Sequence, residues 1–337
     1  MRRQAWVFGL VMAAGFVFSA LSGTPARASE AADFYKGKTL TWMVSTGPGG
    51  GHDFYARLIV KHMAKFMPET TIIVKNVPGA GHIIGANTVY LSKPDGLTIG
   101  SFSTGLVYAQ IVQMQGIQFD LAKMSWIGKA ASDSRVMLVS NKSGIKTLAD
   151  MRDPKRQILF ATSGIGSGSN IEAHMVTRAF GLNTKILTGY VGNEGMMSML
   201  RGETHATMDG AETSMQLVNK GDGFILMQFG KELPDIPDGS DFAETDDARK
   251  ITSLLVAQSV LARIAAGPPG IPADRLAYLR EVYRKTLASP ELLEDAKRAK
   301  RTIKPMYGEE VTAAIQRAMN QPEDVVTLLK SLVSKIE

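Results

Sequence analysis

Two observations predict an α/β protein built as two lobes. Strand-like and helix-like segments alternate along the chain, the mark of α/β layers. The order strand, glycine-rich turn, amphipathic helix also occurs once in each half. A chain of 337 residues, 45% hydrophobic and 21% charged, lets each of two units bury its own core. No Gly/Ser-rich linker separates the halves, so the lobes are expected to be joined by crossing strands. The expected division gives 29–138 with 257–337 to the first lobe and 139–256 to the second.

The elements follow in order. Residues 1–28 read as an export signal: Arg2 and Arg3 start it, an uncharged apolar run covers 5–21, and Ala26-Arg27-Ala28 forms a small-x-small cleavage site before Ser29. The mature protein is thereby expected in the periplasm. Residues 40–45 read as a strand that ends in the turn Ser45-Thr46-Gly47-Pro48-Gly49-Gly50-Gly51. A helix is expected over 53–67, with Phe54, Leu58, Ile59, Met63 and Phe66 at helical spacing. A strand at 72–75, a turn at Pro78-Gly79-Ala80-Gly81, a helix at 83–91 and a strand at 97–102 complete the first round. The second round has strands at 136–139 and 157–161, the turn Thr162 to Ser169, and a helix over 170–180 with Ile171, Met175, Val176, Ala179 and Phe180 on one face. Short strands are expected at 185–187, 206–208 and 224–228. Beyond Pro268-Pro269-Gly270-Ile271-Pro272 the spacing predicts helices over 274–287, 290–300, 309–319 and 323–336. Asp274 and Ser289 stand at N-cap positions, and Pro290 at a first helical position.

Charge and composition exclude several function classes. The formal charge is +6, but Arg2, Arg3 and Arg27 lie in the export segment, which leaves 35 basic against 32 acidic residues, near +3. No Arg/Lys cluster is interleaved with aromatics, so nucleic acid is not an expected partner. The run Lys297-Arg298-Ala299-Lys300-Arg301 reads as one solvated helix end. Cysteine is absent, which excludes disulfides, thiolate metal sites, cysteine nucleophiles and a lipid anchor on cysteine. The five histidines form no ligand pair, so neither a metal nor a cofactor is expected. Neither glycine turn ends in the Gly-Lys-Ser/Thr of a phosphate loop, and the second misses the dinucleotide spacing.

The two turns carry the functional reading. Glycine lets backbone N–H groups approach a ligand, and the start of the following helix adds unpaired N–H groups and partial positive charge. A carboxylate fits such a place. The first turn offers Thr46, Pro48, Gly49, Gly50 and Asp53. The second offers Thr162, Gly166 and Ser167. Asp53 equally suits a helix N-terminus without any ligand, with Arg57 as its structural partner. Ala80 and Gly81 belong to the intervening turn, and Thr104 follows a strand end, where open α/β sheets bind ligands. Arg135 could meet a second carboxylate bidentately, although a surface arginine also fits. Tyr190 walls the cleft or fills the core. Asp209 contacts ligand or holds turn backbone. A bulky residue at Gly50 or Gly166 is expected to cost more affinity than Arg135→Ala.

A resemblance supports these readings. Pro48-Gly49-Gly50 with Asp53 and Ala56-Arg57 is similar to the N-terminal motif of the tripartite tricarboxylate transporter receptors (the Bug-type periplasmic proteins). Asn76-Val77-Pro78-Gly79-Ala80-Gly81, Pro94-Asp95-Gly96, Thr162 to Ser167, Tyr190-Val191-Gly192, Leu200-Arg201-Gly202, Met208-Asp209 and Pro268 to Pro272 resemble its later motifs, in order. His82 departs from a usual glycine, Asn170 from a common histidine and Val191 from a common lysine. The last two bear on the second lobe's pocket and on the kind of ligand taken. The resemblance implies a two-lobed periplasmic-binding-protein fold of type II-like form, a small carboxylate held by N–H groups, hydroxyls and water, and large and small membrane permease subunits as partners to a monomer. Two other classes stay open: a ligand sensor for a membrane kinase, and a serine hydrolase using Ser167.

Overall fold

The computed structural model describes residues 25–333. The expected export segment lies outside them except for its last four residues, which open helix α1 (Pro25–Tyr35). The last residues of the expected C-terminal helix, 334–336, also lie outside. The first lobe then runs β1 (Thr39–Val44), α2 (Gly51–Met63), β2 (Thr71–Asn76), α3 (Ile83–Tyr90), β3 (Thr98–Phe102), α4 (Gly105–Ile111) and β4 (Ser125–Lys129). The second lobe runs β5 (Arg135–Ser140), α5 (Leu148–Arg152), β6 (Ile158–Ala161), α6 (Gly168–Phe180), β7 (Thr184–Leu187), α7 (Glu194–Arg201), β8 (Ala206–Gly210), α8 (Ala211–Val218), β9 (Gly223–Phe229) and α9 (Asp246–Ser259). The chain returns with β10 (Ile264–Gly267), α10 (Ala273–Ala288), α11 (Pro290–Arg298), β11 (Met306–Tyr307), α12 (Gly308–Met319) and α13 (Glu323–Val333).

Each lobe holds one mixed sheet. The first has the order β11-β4-β10-β3-β1-β2, and the second β7-β6-β8-β5-β9. β1 is parallel to β2 and β3, whereas β10 runs antiparallel to β3 and β4. Burial alternates along β1, with Leu40, Trp42 and Val44 inward against Tyr55, Leu58 and Ile59 of α2 and Leu279, Val282 and Tyr283 of α10. That alternation is what a strand with one covered face requires. A second apolar cluster is continuous across the lobes, joining Phe102 and Trp126 to Phe160, Phe180 and Phe229.

Two segments cross between the lobes, 130–134 and 260–263. They are bonded to each other and to their neighbours: Ala130 N donates to Arg263 O at 3.1 Å and Asp133 N to Ser259 O at 2.9 Å. Sheet membership changes at these segments. The expected boundary at 138/139 falls inside β5, a strand of the second sheet, and the one at 256/257 falls inside α9. α13 packs on α6, so the end of the chain returns to the second lobe. α10 begins at Ala273 with Pro272 as its N-cap, so Asp274 lies in its first turn. Arg301, placed by sequence on a solvated helix end, is buried beside Glu212. Among the described residues no helix is long and apolar enough to cross a membrane.

Candidate ligand site

A cavity of about 220 Å³ lies between the lobes. The first lobe lines it with Thr46, Gly47, Gly50, Gly51, His52, residues 78–82, Ser103 and Thr104. The second lobe adds Thr162, Ser163, Gly164, Gly168, Ser169, Glu172, residues 189–193, Thr207, Asp209 and Thr213, and the crossing segments add Asp133, Ala262 and Arg263. The lobes touch around it. A Cβ on Gly192 would stand 2.6 Å from Pro48 O, and one on Gly81 would stand 2.6 Å from Ser167 N. Glu212, in the first turn of α8, accepts from Tyr55 Oη and from Thr302 N of the first lobe, both at 2.7 Å. Lys304 reaches Glu232 at 2.8 Å.

Helix N-termini dominate the wall. α2, α3, α6 and α7, with the shorter α4, begin at residues lining the cavity or adjacent to them, and α8 begins two residues after Asp209 of the wall. The N-caps of α2, α3, α4, α7 and α8 (Gly50, His82, Thr104, Asn193 and Gly210) give no side-chain capping bond. The protein takes part of the first-turn N–H groups itself: Ala211 N and Glu212 N of α8 donate to Ser134 O at 2.8 Å and Asp133 Oδ1 at 3.2 Å, Ile83 N of α3 to Ala80 O, and Gly105 N of α4 to Ser103 Oγ at 3.3 Å. The start of α2 is the one most open to the cavity, and each helix adds a partial positive charge of about half a unit there. α6 differs, because Ser167 Oγ accepts from Asn170 N.

Charged side chains form two buried pairs. Arg135 donates from Nε and Nη2 to Glu172, at 2.9 Å and 2.5 Å. Arg263 Nη2 donates to Asp133 Oδ2 at 2.6 Å, and its Nη1 stands 3.4 Å from His52 Nε2. Burial pushes the Glu172 and Asp133 carboxyls above the ordinary range, although Arg135 and Arg263 pull each back. Burial works against the charge on Arg135, but Glu172 outweighs it and the pKa rises. His82 is brought down to about 4 by burial. Burial, then the Arg263 charge, holds His52 well below its usual value, so both imidazoles are neutral at pH 7.

The structure brings Thr46, Gly50, Ala80, Gly81, Thr104, Arg135, Thr162, Tyr190 and Asp209 to this one wall. Pro48, Gly49, Asp53, Gly166 and Ser167 stand outside it. Asp53 holds its own loop, accepting from Gly49 N at 3.0 Å, Arg57 Nε at 3.0 Å and Asn76 Nδ2 at 2.9 Å. Gly166 N donates to Asn170 Oδ1 at 3.1 Å. The Ser167 hydroxyl is buried and caps α6, with Ser169 Oγ at 3.3 Å as its other neighbour. Among the described residues it has no histidine partner, so the arrangement lacks the base that a serine nucleophile needs. Sequence reasoning missed His52, Asp133, Glu172 and Arg263. Glu172 had a readable signal: it lies at helical spacing among Ile171, Met175, Val176 and Ala179, and a charge on an apolar helix face calls for a buried partner. Asp133 and Arg263 come from crossing segments far apart in sequence and gave none.

The family model described as the tripartite tricarboxylate transporter family receptor matches residues 55–327. The chain belongs to this family. A protein from the tcbD–tcbE intergenic region of Pseudomonas sp. strain P51 is 24% identical over 290 residues, covering 81% of each chain. Among solved structures, the periplasmic binding protein BugD has a TM-score of 0.73 at 19% identity, over 88% of this chain and 98% of its own. MatC from Rhodopseudomonas palustris, solved with bound malate, has a TM-score of 0.71 at 18% identity, over 86% and 99%. These likenesses show the fold, two mixed sheets flanked by helices in the form of a periplasmic binding protein.

Proposed function

We propose that this receptor captures a small organic carboxylate between its lobes in the periplasm and delivers it to a two-component membrane permease. The observation that carries the reading is the set of helix N-termini around one cavity between the lobes, with that of α2 left open by Gly50. An anion satisfies the N–H groups left free there, and exclusion of water strengthens each bond. Both guanidinium groups in the wall are already paired with protein carboxylates, so the ligand's carboxylate is met by backbone N–H groups rather than by a guanidinium. The crossing segments serve as the hinge, and closure brings the glycine rims together. A relative of the same fold holding malate supports the ligand class. Export through the 1–28 segment and membership of a receptor family support a role in binding without catalysis. The thermal shift of the mature protein against a library of organic acids tests the reading. A ligand at a hundred times its Kd stabilises the native state by about 2.7 kcal/mol, so a carboxylate ligand raises Tm measurably. A library in which no acid moves Tm overturns it.

A further inference from the structure

The charges of the cavity wall do not cancel. Among the described lining residues there are three carboxylates, Asp133, Glu172 and Asp209, and two guanidiniums, Arg135 and Arg263. Each guanidinium sits on a carboxylate more than nine-tenths buried: Arg135 on Glu172, and Arg263 on Asp133. Asp209 is the carboxylate left over. Its side chain is 35% exposed, and Arg135 Nη1 comes no nearer than 4.0 Å while the same guanidinium is bonded to Glu172 through its other nitrogens. Asp209 Oδ1 accepts from the N–H of its own neighbour Gly210 at 2.7 Å, which offsets part of the charge at the start of α8. The histidines of the wall do not supply a counter-charge, since His52 already lies against Arg263 and His82 is set in the first lobe at the start of α3.

Given the carboxylate reading above, on which this step rests, we propose that the ligand is a zwitterion whose cationic nitrogen pairs with Asp209. Its carboxylate takes the open N-terminus of α2 on the first-lobe side. Its ammonium takes the wall carboxylate whose nearest cation, Arg135, stands 4.0 Å away and is bonded to Glu172 instead. A charge-assisted hydrogen bond of this kind is short and strong in an enclosed site. The second carboxylate of a dicarboxylic acid at the same place would face Asp209 across the cavity, and like charges there oppose binding. Asp209 therefore sets specificity between amino acids and dicarboxylic acids of equal length.

Calorimetry and thermal shift on the mature protein test this with two matched sets of probes. β-Alanine, 4-aminobutyrate and 5-aminovalerate, together with α-amino acids, stand against succinate, glutarate and adipate. The expected result is that at least one amino acid binds and that its dicarboxylate counterpart binds at least tenfold more weakly. Asp209→Asn then weakens the amino acid at least tenfold and narrows the gap. Asp209→Ser is the second variant, with circular dichroism confirming the fold of each. A dicarboxylate that binds the wild type more tightly than every amino acid overturns the proposal and leaves the carboxylate reading standing. An Asp209 variant that keeps full amino-acid affinity also overturns it. If neither set binds while another organic acid in the library does, the zwitterion falls alone; if no acid in the library binds, the carboxylate reading falls with it.

Discussion

The turn that leads into α2 and the turn that leads into α6 share an order of strand, glycines and helix, yet they keep their shape by opposite means. In the first, the acid of the opening helical turn, Asp53, points away from the cavity and staples the loop through Gly49 N, Asn76 and Arg57. The helix end itself stays open, because Gly50 has no side chain with which to cap it. In the second, Ser167 closes the helix end and Asn170 ties Gly166 back, while the acid Glu172 reaches to Arg135 of β5 at the cavity wall. A glycine turn before a helix offers an anion its N–H groups only where the turn does not use them itself. In the proposed capture of an anion the first turn is thus the anchor, and the second is a wall that carries charge.

The contrast between the two ion pairs gives the largest expected effect. The Glu172–Arg135 side chains are 2% and 17% exposed, whereas those of Asp53 and Arg57 are 7% and 52% exposed. Glu172→Gln leaves a guanidinium in the interior without its counter-charge, which costs about 3–5 kcal/mol in buried pairs. Urea unfolding of the variant should show a loss of that size with an unchanged slope. A loss below about 1 kcal/mol would place both pairs in the same class and end the distinction between anchor and wall.

That pair also marks how far the sequence could be read. β1 and α2 were legible because each has one covered face, so burial leaves a period of two in Leu40, Trp42 and Val44 and of 3.6 in Tyr55, Leu58 and Ile59. β10 left no such trace. Its four residues Ile264 to Gly267 are all buried in the middle of the first sheet, and a strand covered on both faces has no alternation. α9 was missed for a related reason, since its helical face appears only when the whole of Asp246–Ser259 is taken together. At the site, backbone contributions such as Gly50, Gly81 and Thr104 were legible because a turn chemistry precedes each helix. The pairs Arg135–Glu172 and Arg263–Asp133 join residues 37 and 130 positions apart, and no local rule couples such positions.

Glycines at the rim divide by what they face, which gives an effect of intermediate size. Gly81 has φ +60° and a Cβ there would meet the backbone of Ser167 across the cleft at 2.6 Å. Gly81→Ala therefore strains the left-handed backbone and holds the lobes apart. Gly50 has φ −83° and its nearest neighbour to an added Cβ is Gly192 Cα at 3.7 Å, an ordinary contact. Affinity for whichever acid the thermal-shift screen identifies should fall about tenfold or more for Gly81→Ala, equivalent to about 1.4 kcal/mol, and stay within about twofold for Gly50→Ala. Scattering with ligand should show that the Gly81 variant fails to compact. Equal losses at the two positions would mean that closure does not depend on backbone meeting backbone at the rim. Gly166 is a third case, since a Cβ there meets the flexible end of Met114, and its φ of +72° rather than contact with ligand sets the cost of replacing it.

The smallest expected effect lies at the open end of the first turn, and pH resolves it. Burial by itself raises the Asp53 pKa, but the bonds from Arg57, Gly49 and Asn76 outweigh that, and the carboxyl sits below its ordinary value of 3.8. A carboxyl depressed in the fold contributes stability that is present above the unfolded pKa and is lost as pH falls through the folded one. For Asp53 the loss therefore begins around pH 3.8 and continues below it. Arg57 is half exposed, so water screens its share, and Arg57→Ala should cost no more than about 1 kcal/mol at pH 7. Removing Arg57 also raises the folded pKa toward the ordinary value, so the acid limb of the stability curve should become shallower. Unfolding of wild type and variant at several pH values between 7 and 3 should thus give curves that converge as Asp53 becomes protonated. Curves that stay parallel to pH 3 would assign the Arg57 effect to packing of its aliphatic stem, leaving Gly49 N and Asn76 to hold the carboxylate that shapes the anchor.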